Sequence, residues 1–216
     1  MSRALTESRE GNDLENAMPR RCLNAPGRWD FMISYTQRSP KAALLAAELY
    51  HSLRERGYTV WLDVKMKHMN ESVMSEAAQN SRCILAVVSG AERAGDPEAN
   101  AYFKRPYCCN EVRWALEAGV PIQPVIHPDD KERIGELVAL APPDLRFLGA
   151  AADFIHIDRS RPAFWQTGVD EVIEGANNLI AAATGRAGNE AQGVPARRVP
   201  QPLVEQNHTV AEHNVQ

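Results

Sequence analysis

One carboxylate set among aromatic side chains is the most chemically suggestive grouping in the chain. In YCCNEVRWALEAGVPIQPVI, residues 107–126, Glu111 lies just inside an expected helix start. Wound as a helix, the stretch places Val112, Ala115, Leu116 and Gly119 on one side, suited to burial against a sheet, with Cys108 and Cys109 flanking that side a turn earlier. Glu111 lies beside this stripe, aligned with Tyr107, Trp114 and Ala118 at helical spacings of three and four. One acid and two aromatics thus share a face that the core does not need. Three uses fit such a face. It can be a catalytic wall, where a carboxylate meets developing positive charge and rings stack on a ligand. It can equally be a docking surface or a solvated side.

The elements that must position Glu111 alternate between strand and helix. WDFMISY (29–35) reads as a first strand, and SPKAALLAAELYHSLRERGY as a helix that opens on Ser39 and Pro40 as N-cap and N1 and stops at Gly57. TVWLDV (59–64) predicts a second strand, NESVMSEAAQNS (70–81) a short helix and CILAVVS (83–89) a third strand. A long polar loop, the helix of Glu111, VPIQPVI (120–126) and ADFIHID (152–158) follow. The last helix is RPAFWQTGVDEVIEGANNLIAAAT, with Phe164, Val169, Val172, Ile173, Ala176 and Ile180 on its inner side. Parallel neighbours need crossover connections, so five short strands separated by helices predict an α/β, flavodoxin-like three-layer fold. Its sheet would be parallel, ordered 2-1-3-4-5, with helices on both faces and ligands bound beyond the strand C-termini.

The chain has 216 residues, 44% hydrophobic and 24% charged, which suits one folded domain with tails. Residues 1–28 and 184–216 lack a core pattern and read as disordered tails around a domain at 29–183. A net charge of −4 gives no global field toward nucleic acid or an anionic membrane, and no apolar run reaches the ~20 residues that span a bilayer. The N-terminus lacks the apolar region of a signal peptide, so a cytoplasmic protein is expected. Cys22, Cys83, Cys108 and Cys109 form no CxxC pair, and His208 and His213 read as solvated tail residues, so no metal site is expected. No GxGxxG, GxxxxGK[ST], GxSxG or HExxH occurs. A phosphoacceptor receiver is excluded as well, because SYTQR and SGAER after strands one and three lack its acids.

Three blocks in order resemble a TIR (Toll/interleukin-1 receptor) domain. DFMISY is similar to the family's first-strand box. GYTVWLD, a loop and NSRCILAVVS are similar to its second strand, BB loop and third strand. RPYCCNEVRWALEAGVPIQPVI is similar to its third helix and fourth strand, where plant members carry Trp-Cys-x-x-Glu. The resemblance runs from about Trp29 to Ala183. Many TIR domains cleave NAD⁺ at the nicotinamide–ribose bond, using the glutamate of the third helix. The resemblance therefore implies an NAD⁺ glycohydrolase or cyclase of immune or cell-death signalling, with Glu111 catalytic and Tyr107 where a Trp often sits. Products would be nicotinamide and ADP-ribose or a cyclic isomer, with NAD⁺ as substrate and no other cofactor. Nicotinamide is already a cationic leaving group, so one carboxylate facing an oxocarbenium-like ribose suffices. Animal receptor members also carry this glutamate yet act as docking scaffolds, so the alternative is a non-catalytic module for TIR–TIR contacts.

By the same resemblance Tyr35, Thr36, Gln37 and Arg38 occupy a nucleotide-contacting position. Arg38 either reaches the diphosphate with a forked donor pair or is a surface arginine. Asp63 either holds a ribose hydroxyl or caps its own loop. Met66, Ser89, Tyr107 and Trp114 complete the candidate binding set. For Met66, His68 and Met69 the choice is between covering a nucleotide and packing on a neighbouring subunit. Ser89 is expected in a cap or turn, and Trp114 either on a partner domain or under the 90–106 loop. Asn70 stands where the BB loop usually has Gly, and its tolerance of left-handed angles predicts a turn. Cys108 matches a cysteine tied to a second, cyclic-nucleotide-forming activity of plant members, while its own physics makes it a small buried hydrophobe. In the family a site is typically completed head to tail, the BB loop of one copy lying over the next copy's cleft.

Overall fold

A computed structural model describes residues 23–92 and 97–192. Of the expected tails at 1–28 and 184–216, residues 1–22 and 193–216, with Cys22, His208 and His213, lie outside the described residues. The strands are β1 (Trp29–Tyr35), β2 (Val60–Trp61), β3 (Ser81–Val88), β4 (Ile122–Ile126) and β5 (Ile155–His156). They form one parallel sheet in the order β2-β1-β3-β4-β5, as the alternation of elements predicts. The helices are α1 (Pro40–Glu55), α2 (Glu71–Gln79), α3 (Pro106–Glu117), α4 (Ile134–Ala139), α5 (Leu148–Ala151) and α6 (Pro162–Gln192).

Strand alternation divides the core in two. Phe31, Ile33 and Tyr35 of β1 and Cys83, Leu85 and Val87 of β3 face α1 and α6, meeting Leu45, Leu49, Leu53, Val169 and Val172. Met32 of β1 and Ile84, Ala86 and Val88 of β3 face the other way, onto Val73 and Ala77 of α2 and Cys108, Val112 and Ala115 of α3. Each fully buried large side chain, Phe31, Met32 or Leu49 for example, contributes roughly 1.5–3 kcal/mol. Ser39 caps α1 by accepting from Ala42 N at 3.0 Å, and Pro40 starts the helix, as expected. Gly57 ends the α1 turn at φ +88°, a conformation costly for any side chain.

Several boundaries differ from the sequence expectation. β2 is two residues long, because the chain turns at once into a 3-10 turn, Asp63–Lys65, where Val64 N bonds the Asp63 carboxylate. β5 is likewise two residues long. Residues 23–28 are packed onto the domain: the Asn24 side-chain amide donates to His68 O at 3.0 Å and accepts from His68 N at 3.2 Å. α6 runs past Thr184 to Gln192, across Gly185, Gly188 and Asn189, which are poor helix formers. On α6 Phe164 is exposed beneath Arg161 instead of inward, and Trp165 packs in, its indole N–H on Ser52 Oγ at 2.9 Å. The loop after β3 holds two 3-10 turns, Glu98–Asn100 and Tyr102–Lys104, and buries Tyr102 and Phe103. Among the described residues no helix is long and apolar enough to cross a membrane.

α6 lies so close to the sheet that a Cβ on Gly175 would come within 2.6 Å of Gln123 Oε1 and 2.8 Å of Ile155 Cδ1. Gln123 cannot swing aside, since its Nε2 donates to Pro124 O and Asp153 O. Gly175→Ala should therefore destabilise the domain by roughly 1–3 kcal/mol, read as a lower urea midpoint with an unchanged slope.

Candidate functional site

Parallel strands deliver their C-terminal ends to one edge, and beyond the ends of β1 and β2 opens a cleft of about 600 Å³. Tyr35, Thr36, Gln37 and Arg38 enter it from the β1–α1 turn, Asp63 from the turn after β2, and Tyr107, Cys108 and Glu111 from α3. The Thr36 hydroxyl braces the β1 exit, donating to Asn100 O at 3.2 Å and accepting from Arg38 N at 3.2 Å. Asp63 ties two of these side chains together: the Tyr35 hydroxyl donates to it at 2.9 Å and the Gln37 amide donates to its other oxygen. It also caps its own turn, so both sequence-based roles are structurally open to it.

Glu111 forms the floor. It is only 6% exposed, where a side facing away from the core was expected, and Leu116 takes the outward position instead. The offset arises because α3 tilts its Cys108–Glu111–Val112 edge onto β1. There Ser34, on the same sheet face as Met32, donates to Glu111 Oε2 at 2.5 Å. Ser34 Oγ in turn lies 2.7 Å from the hydroxyl of the fully buried Tyr102. Burial pushes the Glu111 carboxyl up to about 8, with a further push from the charge on Asp63 and partial relief from Ser34. Burial and the same Asp63 charge raise the Tyr35 hydroxyl as well. Burial, then the Glu111 charge, pushes the Cys108 thiol well up, and it donates to Tyr35 O at 3.4 Å. Those are the surroundings of an inert packing thiol rather than a nucleophile.

Of the ten candidate residues, Tyr35, Thr36, Gln37, Arg38, Asp63, Tyr107 and Glu111 converge on this cleft. Met66, Ser89 and Trp114 do not. Met66 packs on the core and faces a separate hollow with Lys65 and His68. The Ser89 Oγ is buried without a partner among the described residues, while the Ser89 carbonyl accepts from Tyr102 N at 2.9 Å. Trp114 lines a separate hollow with Ser72, Ser75 and Gln79 of α2. Asn70 is extended at φ −160° and caps α2 by accepting from Val73 N at 3.0 Å, instead of making a left-handed turn. Met69 also lines the cleft, and the structure adds Asn70, Glu71, Met74 and Arg105 to its walls, with Ser34 and Tyr102 behind the floor. Arg105 was detectable as the cation directly before the Pro106 helix start, whereas Tyr102 lies in a loop without periodic signal.

The Arg38 and Arg105 guanidinium groups have no hydrogen-bond or ion-pair partner among the described residues, and no set of three or more His, Cys, Asp or Glu there could hold a metal. The cleft thus combines two forked cations unpaired among the described residues, an aromatic ring, an acid-held hydroxyl and a buried carboxyl. That set suits a ligand carrying both anionic phosphates and a cationic or developing-cationic ring.

The family model for the TIR domain matches residues 31–160, more than half of the chain. Among curated proteins, none matches by sequence. Solved structures similar to the chain include the TIR domain of the Toll-related receptor TRR-2 from Hydra magnipapillata. It shows 15% identity and a TM-score of 0.42, covering 67% of this chain and 98% of that one. A metazoan TIR-STING receptor from C. gigas, solved in complex with 2',3'-cGAMP, shows 17% identity and a TM-score of 0.47, covering 69% of this chain and 40% of that one. The TIR domains of the activated Roq1 resistosome show 17% identity and a TM-score of 0.40, covering 74% of this chain and 99% of that one.

Because the folded-state value of Glu111 lies above its ordinary 4.5, the folded protein holds an extra proton between about pH 4.5 and 8. Stability from this group is full below that window and is lost as pH rises through it. Glu111→Gln removes the loss. The variant should gain on wild type by a few kcal/mol between about pH 5 and pH 9, measured as the difference in urea unfolding free energy.

Proposed function

Since the chain belongs to the TIR domain family, we propose that it cleaves NAD⁺ at the nicotinamide–ribose bond, in signalling of the immune or cell-death kind. The observation that carries this reading is the buried Glu111, without an ion pair among the described residues, on the floor of a cleft rimmed by Arg38 and Arg105. The two guanidinium groups suit the diphosphate, Asp63 a ribose hydroxyl, and the exposed Tyr107 ring a base or the nicotinamide face.

In this chemistry the C1′–N bond breaks and its electron pair leaves with nicotinamide, which departs neutral without needing a proton. Positive charge passes to the ribose, where an ionised Glu111 stabilises it at low dielectric. Water then captures C1′ to give ADP-ribose and a proton, or an adenine nitrogen captures it to give a cyclic isomer. Cys108 takes no part, being sealed against the Tyr35 carbonyl.

A scaffold role has one observation in its favour: Met69 and Tyr107, which line the cleft, are 44% and 53% exposed, and Val64, next in sequence to the lining Asp63, is 61% exposed, an apolar set suited to a second copy of the chain. The two readings are compatible, since a head-to-tail contact there would close the cleft over its ligand.

Chromatography of NAD⁺ and nicotinamide at high protein concentration tests the reaction. Turnover in wild type should fall by at least ~10²-fold in Glu111→Ala, with a native circular-dichroism spectrum retained. No turnover in either protein would leave the scaffold reading. Arg38→Ala should raise KM by roughly 10-fold or more with a smaller change in kcat, as expected for a charged phosphate contact. If neighbouring copies close each other's clefts, activity per molecule should rise with protein concentration, and a flat dependence would place the whole site within one copy.

A further inference from the structure

A neutral carboxyl and a catalytic carboxylate are different chemical species, and the floor of the cleft carries a device that can convert one into the other. Glu111 Oε2 is fixed by the Ser34 hydroxyl at 2.5 Å, and Ser34 Oγ lies 2.7 Å from the Tyr102 hydroxyl, itself sealed from solvent. Glu111 Oε1 has no partner among the described residues, yet it is not one of the sealed, unpartnered polar atoms, so it opens toward the cleft. The groups facing this carboxyl are Ser34 and Tyr35 from β1, Asp63 from the turn after β2, Tyr102 from the loop before α3, and Cys108 on α3 itself. None is a cation. Arg38 and Arg105 stand on the walls, and Glu71 of α2 lines the same cleft.

We propose that Glu111, backed by Ser34 and Tyr102, is an ionisation switch set by the charge of the ligand. The carboxyl keeps its proton on Oε1 in the empty cleft and releases it to solvent when a pyridinium cation settles against it. The arriving cation supplies the missing counter-charge, and only the O–H bond of the carboxyl breaks. The new charge is then held by Tyr102 donating to Ser34 and Ser34 donating to Glu111, each bond polarising the next. The direction of the Glu111 shift, upward through burial and away from a cation, agrees with this. Ser34 and Tyr102 act here as positioning residues, and Glu111 becomes a specificity residue: an oxidised, cationic pyridine can ionise it, while a neutral reduced ring cannot.

This inference rests on the NAD⁺ reading of the cleft, and the two fail separately. The probes are 1-methylnicotinamide, a cation with no ribosyl bond to cleave, and neutral nicotinamide. Each is titrated by calorimetry into the full chain in two buffers of different ionisation enthalpy at about pH 7. The cation should bind with release approaching one proton, and its affinity should rise about tenfold per pH unit below the Glu111 transition, because only the ionised fraction is competent. Nicotinamide should release none. Glu111→Gln should abolish the release, and Tyr102→Phe should move the affinity plateau to higher pH while leaving the fold intact. Absence of cation binding, binding without proton release, or release that persists in Glu111→Gln would each overturn the proposal. NAD⁺ cleavage without proton-linked binding would overturn the switch and leave the enzyme reading standing. Proton-linked binding without cleavage would do the reverse.

Discussion

Keeping a carboxyl group out of water is costly unless hydrogen bonds or counter-charge compensate, and the arrangement around Glu111 follows from how that cost is met. The compensation comes from hydroxyls, not from a cation: Ser34 on the sheet and Tyr102 behind it. This requires β1 to present a small hydroxyl on the face where its neighbour Met32 is pure core, and α3 to approach closely enough for a 2.5 Å contact. It also requires the loop after β3 to bring an aromatic hydroxyl inward. Buried Phe103, the two 3-10 turns and the Tyr102 N–Ser89 O bond secure that loop. A lysine or arginine in the same pocket would have satisfied the charge permanently and removed the capacity to respond to a ligand.

The fold was largely legible because its signals are periodic. The short apolar runs of β1 and β3 and the Ser39-Pro40 start of α1 each mark an element whose physics is local. The order of the sheet follows from the need for crossovers between parallel strands. Short edge strands were overestimated because an apolar residue such as Leu62 belongs to the core without being in the ladder. Phe164 was misplaced for a related reason: a helix can bury only one of two adjacent aromatics, and Trp165 has a hydroxyl waiting for its indole.

The site was legible where it follows a strand end or a helix start, as with Tyr35 to Arg38, Asp63 and Glu111. It was illegible where it depends on which way a side chain turns in three dimensions. Helical spacing groups Glu111 with Tyr107 and Trp114, but the cleft takes Glu111 and Tyr107 and leaves Trp114 over α2, because α2 fills the groove on that side of the helix. Tyr102 could not be found by pattern, since its loop contributes through tertiary contacts alone.

The two-way amide clasp between Asn24 and the backbone of His68 has a mechanical implication. His68 belongs to the segment that starts at Asp63 and ends at Asn70, both of which border the cleft. The stretch of chain ahead of β1 is thus stapled to the mouth of the site as well as to the sheet. Tension or attachment applied upstream of Leu23 would reach the lip of the cleft across two hydrogen bonds, without first passing through the hydrophobic interior. Whatever is joined to that end of the domain holds a lever on the opening.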